Sequence, residues 1–312
     1  MHGQISLWMA NLEILAAAAL SLAVMWLVLG RKTGRKTSVK LASLEPLLTP
    51  YRRGDYNAAL AATEALRNGP MRQSYHFYRG ALLGQLGRLA EAETELKQGV
   101  AMADAAELAA QNRGVAFVEQ ARKLAALSNQ ELGNCYLDQG RYGEAQNCFQ
   151  TSLHHWPGHG STHRALAELS LRRGDPAAAL EWAGMSVQEE RGSVPAPSIS
   201  KAGEKARALA RDAKNSNLGE SLATLAWAAA AARQDVSEAE SSIVQAVELT
   251  QGQPACSAAQ VHLHAGYAYA AWGQRARAEQ HWKEAACLDP HGRSGRAAQL
   301  ALTDPAAITA SK

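Results

Sequence analysis

Apolar and small residues recur at three- and four-residue spacing from about residue 41 to residue 291, with charged residues filling the intervening positions. That period places one apolar face on each of a series of helices. Polar breaks centred on Gly54, Gly87, Gly140, Gly174, Gln234 and Gly273 divide the pattern into paired segments. Each break predicts a tight turn between two antiparallel helices. Alternating Val/Ile/Thr runs, the mark of strands, are nearly absent, so the fold class expected is all-α.

The opening stretch follows a different rule. Leu12 to Leu29 reads LEILAAAALSLAVMWLVL, with Glu13 as its one charge, at the edge of the run. A helix of roughly 18 residues reaches about 27 Å, close to the thickness of a bilayer's hydrocarbon core. Extending the run to residues 7–29 places Trp8 and Trp26 near opposite ends, where interfacial aromatics belong. The stretch opens MHGQIS, without the basic start of a cleaved leader, and predicts a single transmembrane helix. Arg31, Lys32, Arg35, Lys36 and Lys40 follow it, which predicts an inner (cytoplasmic) membrane protein with its C-terminal bulk on the cytoplasmic side.

Among the paired segments, Asn129 to Pro157 is the clearest. Counted from the turn at Gly140, it carries Gly133, Tyr136, Tyr142, Ala145, Phe149, Ser152 and Pro157 at fixed offsets. The small residues let two helices approach and the large ones fill the remaining space. A second copy carries Gly266, Tyr269, Gly273, Ala278, Trp282, Ala285 and Pro290 at the same offsets, with Arg275 where an aromatic is usual. Weaker copies surround Gly87, Gly174 and Gln234, and a half-match surrounds Gly54, where Pro46 and Pro50 interrupt the first helix and suggest a cap. In these residues the chain resembles the tetratricopeptide repeat family, which is built from helical hairpins that are stable when stacked. The resemblance covers about residues 41–291. It implies a right-handed superhelix of antiparallel helix pairs, preceded here by the single transmembrane helix, with a concave groove that holds protein partners. In layout it is similar to the membrane-anchored bacterial type.

The turns are spaced by 33, 53, 34, 60 and 39 residues, so two intervals carry extra sequence. Asp104 to Lys123 keeps helical composition and predicts lengthened flanking helices. RGSVPAPS, residues 191–198, reads as a hinge, and Lys201 to Lys214 as a helix with Ala202, Ala206, Leu209 and Ala213 on one side. The organisation expected is an anchor and basic linker over 1–40, a first array over 41–195, a second over 196–291, and a tail over 292–312 with at most one short helix.

Charge adds an exclusion. The 32 basic and 29 acidic residues give a net charge of +3, too balanced for a nucleic-acid surface. Cys135, Cys148, Cys256 and Cys287 form no C-x-x-C pair and read as small buried residues rather than a zinc or redox site. His154, His155, His159 and His163 surround Pro157 and Gly158, which break the helix a ligand stripe would need, so they read as solvent-exposed loop side chains. No phosphate loop, nucleophile elbow or catalytic pairing is present, and no enzyme, cofactor or metal is expected.

The repeat register turns the first helix of each hairpin toward the groove. The partner-binding residues expected there are Phe77, Gln130, Asn134, Asp138, Arg164, Glu168, Arg172 and Tyr267. Arg164, Glu168 and Arg172, four apart, form one charged stripe, either an exposed ion-pair ladder or a grip on a partner. The family's carboxylate clamp is incomplete at Gln130, Ala165 and Arg172, which disfavours a chaperone tail. The function expected is a membrane-anchored scaffold that recruits protein partners to a membrane complex. The alternatives are a metal-dependent regulator or enzyme acting through the histidine loop or inserted segments, and a scaffold facing the periplasm.

Overall fold

The computed structural model describes residues 44–68, 72–111, 114–192 and 201–304. The predicted membrane span, the basic residues after it and most of the predicted hinge lie outside the described residues. No helix among the described residues is long and apolar enough to cross a membrane.

The described residues are helical throughout, without strands. In chain order the helices are α1 (Glu45–Arg52), α2 (Tyr56–Ala62), α3 (Arg72–Gln85), α4 (Leu89–Ala110), α5 (Val115–Asp138), α6 (Tyr142–His155), α7 (Gly160–Arg172), α8 (Pro176–Gly192), α9 (Lys201–Ala231), α10 (Val236–Thr250), α11 (Ala255–Ala271), α12 (Arg275–Leu288) and α13 (Arg293–Thr303). Pro46 sits in the first turn of α1, where a missing N–H costs nothing, and α1 pairs with α2 as a short hairpin.

One backbone device makes every hairpin turn. The N–H three residues beyond the first helix returns to a carbonyl five residues earlier: Asp55 to Pro50, Arg88 to Leu83, Arg141 to Tyr136, Asp175 to Ser170 and Gln274 to Tyr269, at 2.8–2.9 Å. The residue before each donor takes φ between 71° and 76° and is glycine, the residue that bears left-handed backbone without strain. At the fifth turn Gln234 N–H returns to Ala229 and the left-handed position is Arg233, φ 58°. The turn therefore centres one residue before Gln234, and the missing glycine explains why this copy is weak in sequence. Asp55, Asp175 and Asp235 then cap the following helices through their carboxylates.

Within a hairpin, small residues meet large ones as the offsets predict. Gly133 faces Phe149 and Gly266 faces Trp282, while Ala145 and Ala278 are fully buried. The described residues between Asp104 and Lys123 lengthen α4 to Ala110 and start α5 at Val115. Lys201 to Lys214 is not a separate helix, because α9 continues unbroken to Ala231 as the first helix of the next hairpin. Arg191 and Gly192 complete α8 rather than opening a hinge, and α8 packs on α9. Cys135 is buried as expected, but Cys287 is exposed, so the four thiols are not uniformly core residues; all four are free.

The tail carries a larger role than its composition suggests. Helix α13 covers the last hairpin with Ala298 and Ala301, and its opposite face meets the beginning of the array. Tyr56 Oη donates to Asp289 Oδ1 at 2.7 Å, and the Cys256 thiol donates to Tyr51 Oη at 3.1 Å. Arg293 N–H donates to Gln85 Oε1 at 3.2 Å, and Arg52 pairs with Asp212 at 3.3 Å. These contacts join residues about 160 to 230 positions apart, so the array closes into a ring.

Candidate binding cavity

First helices of consecutive hairpins lie side by side, α3 with α5, α5 with α7, α7 with α9 and α9 with α11, and together they wall the interior of the ring. The space they enclose is a cavity of about 520 Å³, within the range of small-ligand sites. Its lining carries many charged side chains, several of them paired.

Six of the eight residues predicted for the groove meet on this wall: Gln130, Asn134, Asp138, Arg164, Glu168 and Arg172. The i, i+4 spacing along α5 and α7 carries them to one face. Glu168 and Arg172 pair at 2.5 Å along α7. Burial alone would raise the Glu168 carboxyl, but Arg172 and His264 hold it down at about 2. Arg164 departs from the exposed stripe that the spacing suggests. It is buried and reaches Glu220 of α9, N–O 2.7 Å, because the long α9 crosses directly in front of α7. Asp138 pairs with Arg293 of α13 at 2.6 Å.

Phe77 is not on the cavity wall. It is 1% exposed and lies in a buried cluster with Leu44, Leu47, Leu66, Tyr78 and Leu127, where α2 and the turn after it pack on α3. Tyr267 also lies outside the lining. It stands in an aromatic cluster with Trp227 and Trp282, ring centroids 4.7 and 5.9 Å away, where burial pushes its phenol up to about 12.

The structure adds residues that the repeat register omits. Glu131 is 2% exposed, and its hydrogen bond from Asn134 is 3.1 Å long; burial pushes its carboxyl up, opposed by Arg293. Asn217 of α9 is 5% exposed, and its Nδ2 has no hydrogen-bond partner. Arg293 and Arg296 arrive from the far end of the chain. A polar residue at a nominal core position was the signal available for Glu131 and Asn217; nothing local marks the arginines, whose placement depends on ring closure.

Of the four histidines expected in a solvent-exposed loop, His154 is exposed, in the last turn of α6, and the other three are partly or fully buried. His159 is 1% exposed, stacks on Trp156 at 4.4 Å and bonds Thr162 Oγ1 through Nδ1 at 2.6 Å. Burial, foremost, drives its pKa down to about 3. His163 stacks on Trp182, whereas His155 turns to Glu107 of α4 at 3.1 Å, so the three diverge. Among the described residues no three His, Cys, Asp or Glu side chains meet as metal ligands.

Comparison with known proteins agrees with the hairpin geometry. A sequence model of the tetratricopeptide repeat matches residues 51–107 and 131–190. No curated protein matches the chain. Among solved structures, YrrB, described as a TPR protein with an unusual peptide-binding site, is 18% identical. It aligns over 78% of this chain and 97% of its own, at a TM-score of 0.35. BtubC from P. vanneervenii is 15% identical over 80% of this chain and 92% of its own, at 0.44. A tetratricopeptide repeat protein from Parabacteroides merdae is 14% identical over 84% and 96%, at 0.35. Over residues 51–107 and 131–190 the chain matches the tetratricopeptide repeat, in the same segments that show the recurring turn and the small-to-large packing of the hairpins.

Proposed function

We propose that the protein is a non-enzymatic scaffold that holds a segment of a protein partner inside the ring, tethered to the cytoplasmic face of a membrane by residues 7–29. Tetratricopeptide arrays typically mediate protein–protein interactions, which supports the class of function. The observation that carries the reading is the convergence of Gln130, Asn134, Asp138, Glu168 and Arg172 on one enclosed polar wall. Hydrogen-bonding and charged groups held in fixed positions recognise a peptide's own polar groups without rearrangement.

The size of the cavity limits the occupant. A cavity of about 520 Å³ is the size of a small-ligand site, too small for a helix of several turns. The closed ring therefore suits a chain end or a short extended segment, and a longer helix requires the ring to open. The apolar run at 12–29 and the basic residues after it support the tether and its orientation.

The test fills the cavity. Replacing Gln260 or Asn134, both partly exposed in the lining, by Trp should abolish recovery of the specific partners captured from membranes by the unaltered protein, with helicity retained by circular dichroism. Recovery of the same partners at the same yield would contradict the reading. For the tether, a reporter active only in the cytoplasm and fused after Lys312 should work; activity of a periplasm-only reporter would reverse the orientation.

A further inference from the structure

We propose that the acidic side chains on the inner faces of α5 and α7 form a receptor for an arginine, that the chain's own Arg293 fills it in the closed ring, and that a partner segment presents an arginine in its place. This rests on the interior-binding reading above and names the partner chemistry.

The occupant is visible in the structure. Arg293 Nε lies 2.6 Å from Asp138 Oδ2, and Glu131 and Glu168 bear on the same guanidinium. Burial favours loss of the Arg293 proton, yet these three carboxylates hold its basicity above the ordinary value. Three acids around one guanidinium exceed what a single ion pair needs. Asp138 alone would neutralise Arg293, and Glu168 already has Arg172. Glu131, almost wholly buried, is stabilised first by the Arg293 guanidinium, with the Asn134 hydrogen bond and the Arg164 charge as lesser contributions. A planar guanidinium with five donors suits such a cluster better than an ammonium.

A second observation points the same way from α9, beside α7. Asn217 Nδ2 is a buried donor facing the cavity without an acceptor. A peptide bringing an arginine also brings backbone carbonyls, which supply that acceptor.

The manner in which α13 docks makes it replaceable. It meets the N-terminal repeats through polar groups of its first turn: Arg293 N–H to Gln85 Oε1, the Arg293 guanidinium to Asp138, and the Arg296 guanidinium to the Gln85 carbonyl. Its apolar residues Ala298 and Ala301 stay on its own hairpin. Gly84 leaves room for the passing side chain, since a methyl group there would stand 3.3 Å from Arg293 Nη2. The first turn can therefore leave the acids without exposing the core beneath α13, and polar contacts of this kind exchange for equivalent contacts with another chain.

The experiment uses the full chain and a fluorescent peptide with the sequence of residues 289–304. Carrying Arg293→Ala and Arg296→Ala, the chain should bind the peptide at least tenfold more tightly than the unaltered chain, by fluorescence anisotropy. Adding Asp138→Asn, or replacing the first arginine of the peptide by alanine, should remove at least tenfold of that affinity. Equal binding by both chains, or indifference to Asp138→Asn, would overturn the proposal. Should the double variant fail to fold by circular dichroism, hydrogen exchange on the unaltered chain decides: the peptide should accelerate exchange of the first amides of α13, and unchanged exchange would overturn the proposal. If cavity-filling variants lose their partner while the peptide shows none of this behaviour, the interior remains a binding site and arginine recognition alone is wrong.

Discussion

One substitution, glycine to alanine, should change sign with its place in the hairpin. At Gly133 an added methyl group would overlap the Phe149 ring, and at Gly266 it would overlap the Trp282 indole. Both rings are buried, at 0% and 1% exposure, and have no free side on which to move. Overpacking of this kind costs about 1–3 kcal/mol. At Gly184, in the middle of α8, the same methyl group would meet nothing within 4 Å. There the substitution should stabilise by about 0.5–1 kcal/mol, because glycine loses more backbone freedom on entering a helix. The two classes should therefore differ by about 2 kcal/mol. With a urea m-value of up to about 3 kcal/mol/M, that separates their unfolding midpoints by at least about 0.7 M. Urea unfolding followed by circular dichroism on Gly133→Ala, Gly266→Ala and Gly184→Ala reads the difference directly. Equal midpoints, or a more stable Gly133→Ala, would refute the interhelical packing described here.

Arg164→Ala should destabilise by about 3–5 kcal/mol, since it strands the buried Glu220 carboxylate, and Glu220→Gln in the same chain should restore part of the loss; a midpoint shift within experimental error would mean that the pair is exposed. Acidification should weaken the fold below about pH 6.5. His159, His264 and His281 have folded pKa values lowered to about 3, 4 and 4, so the unfolded chain takes up protons first and stability present above pH 6.5 is lost as pH falls. Each contributes up to about 1.4 kcal/mol per pH unit in that window, which thermal unfolding at pH 7.5 and 5.5 would reveal as a lower Tm at pH 5.5; an unchanged Tm would contradict their burial as neutral rings.

The hairpins were legible in the sequence because their constraints are local. Left-handed turn glycines, a small residue opposite each large one and a proline after the second helix each act within about 30 residues, so Gly133, Ala145 and Phe149 announce a packed pair without reference to the rest of the chain. The same local register placed Gln130 to Arg172 on a common face. It failed at Phe77, buried in a tertiary cluster with Leu44, Leu47 and Leu127, and it placed Arg164 on the wall but missed its burial, since the partner Glu220 lies on a helix lengthened by inserted sequence. The histidines misled because Pro157 and Gly158 read as a surface loop, whereas Trp156 folds over His159 and buries it. Closure was not legible at all. Tyr56 and Asp289 are each ordinary residues in their own repeats, and their meeting depends on the small angle each hairpin adds, summed along the array.

Closure of the ring is therefore the claim on which the cavity and its proposed occupants depend, and a double-mutant cycle on Tyr56 and Asp289 tests it most directly. In an open superhelix these residues, 233 positions apart, share no contact, and their substitutions should add within about 0.3–0.5 kcal/mol. In the closed ring the buried Tyr56 hydroxyl donates to Asp289 at 2.7 Å. Tyr56→Phe and Asp289→Ala, which between them remove the donor and the acceptor, should then show a coupling of about 1–3 kcal/mol in urea unfolding, the range for a buried hydrogen bond to a carboxylate. A coupling indistinguishable from zero would contradict the closed ring and, with it, the enclosed binding cavity.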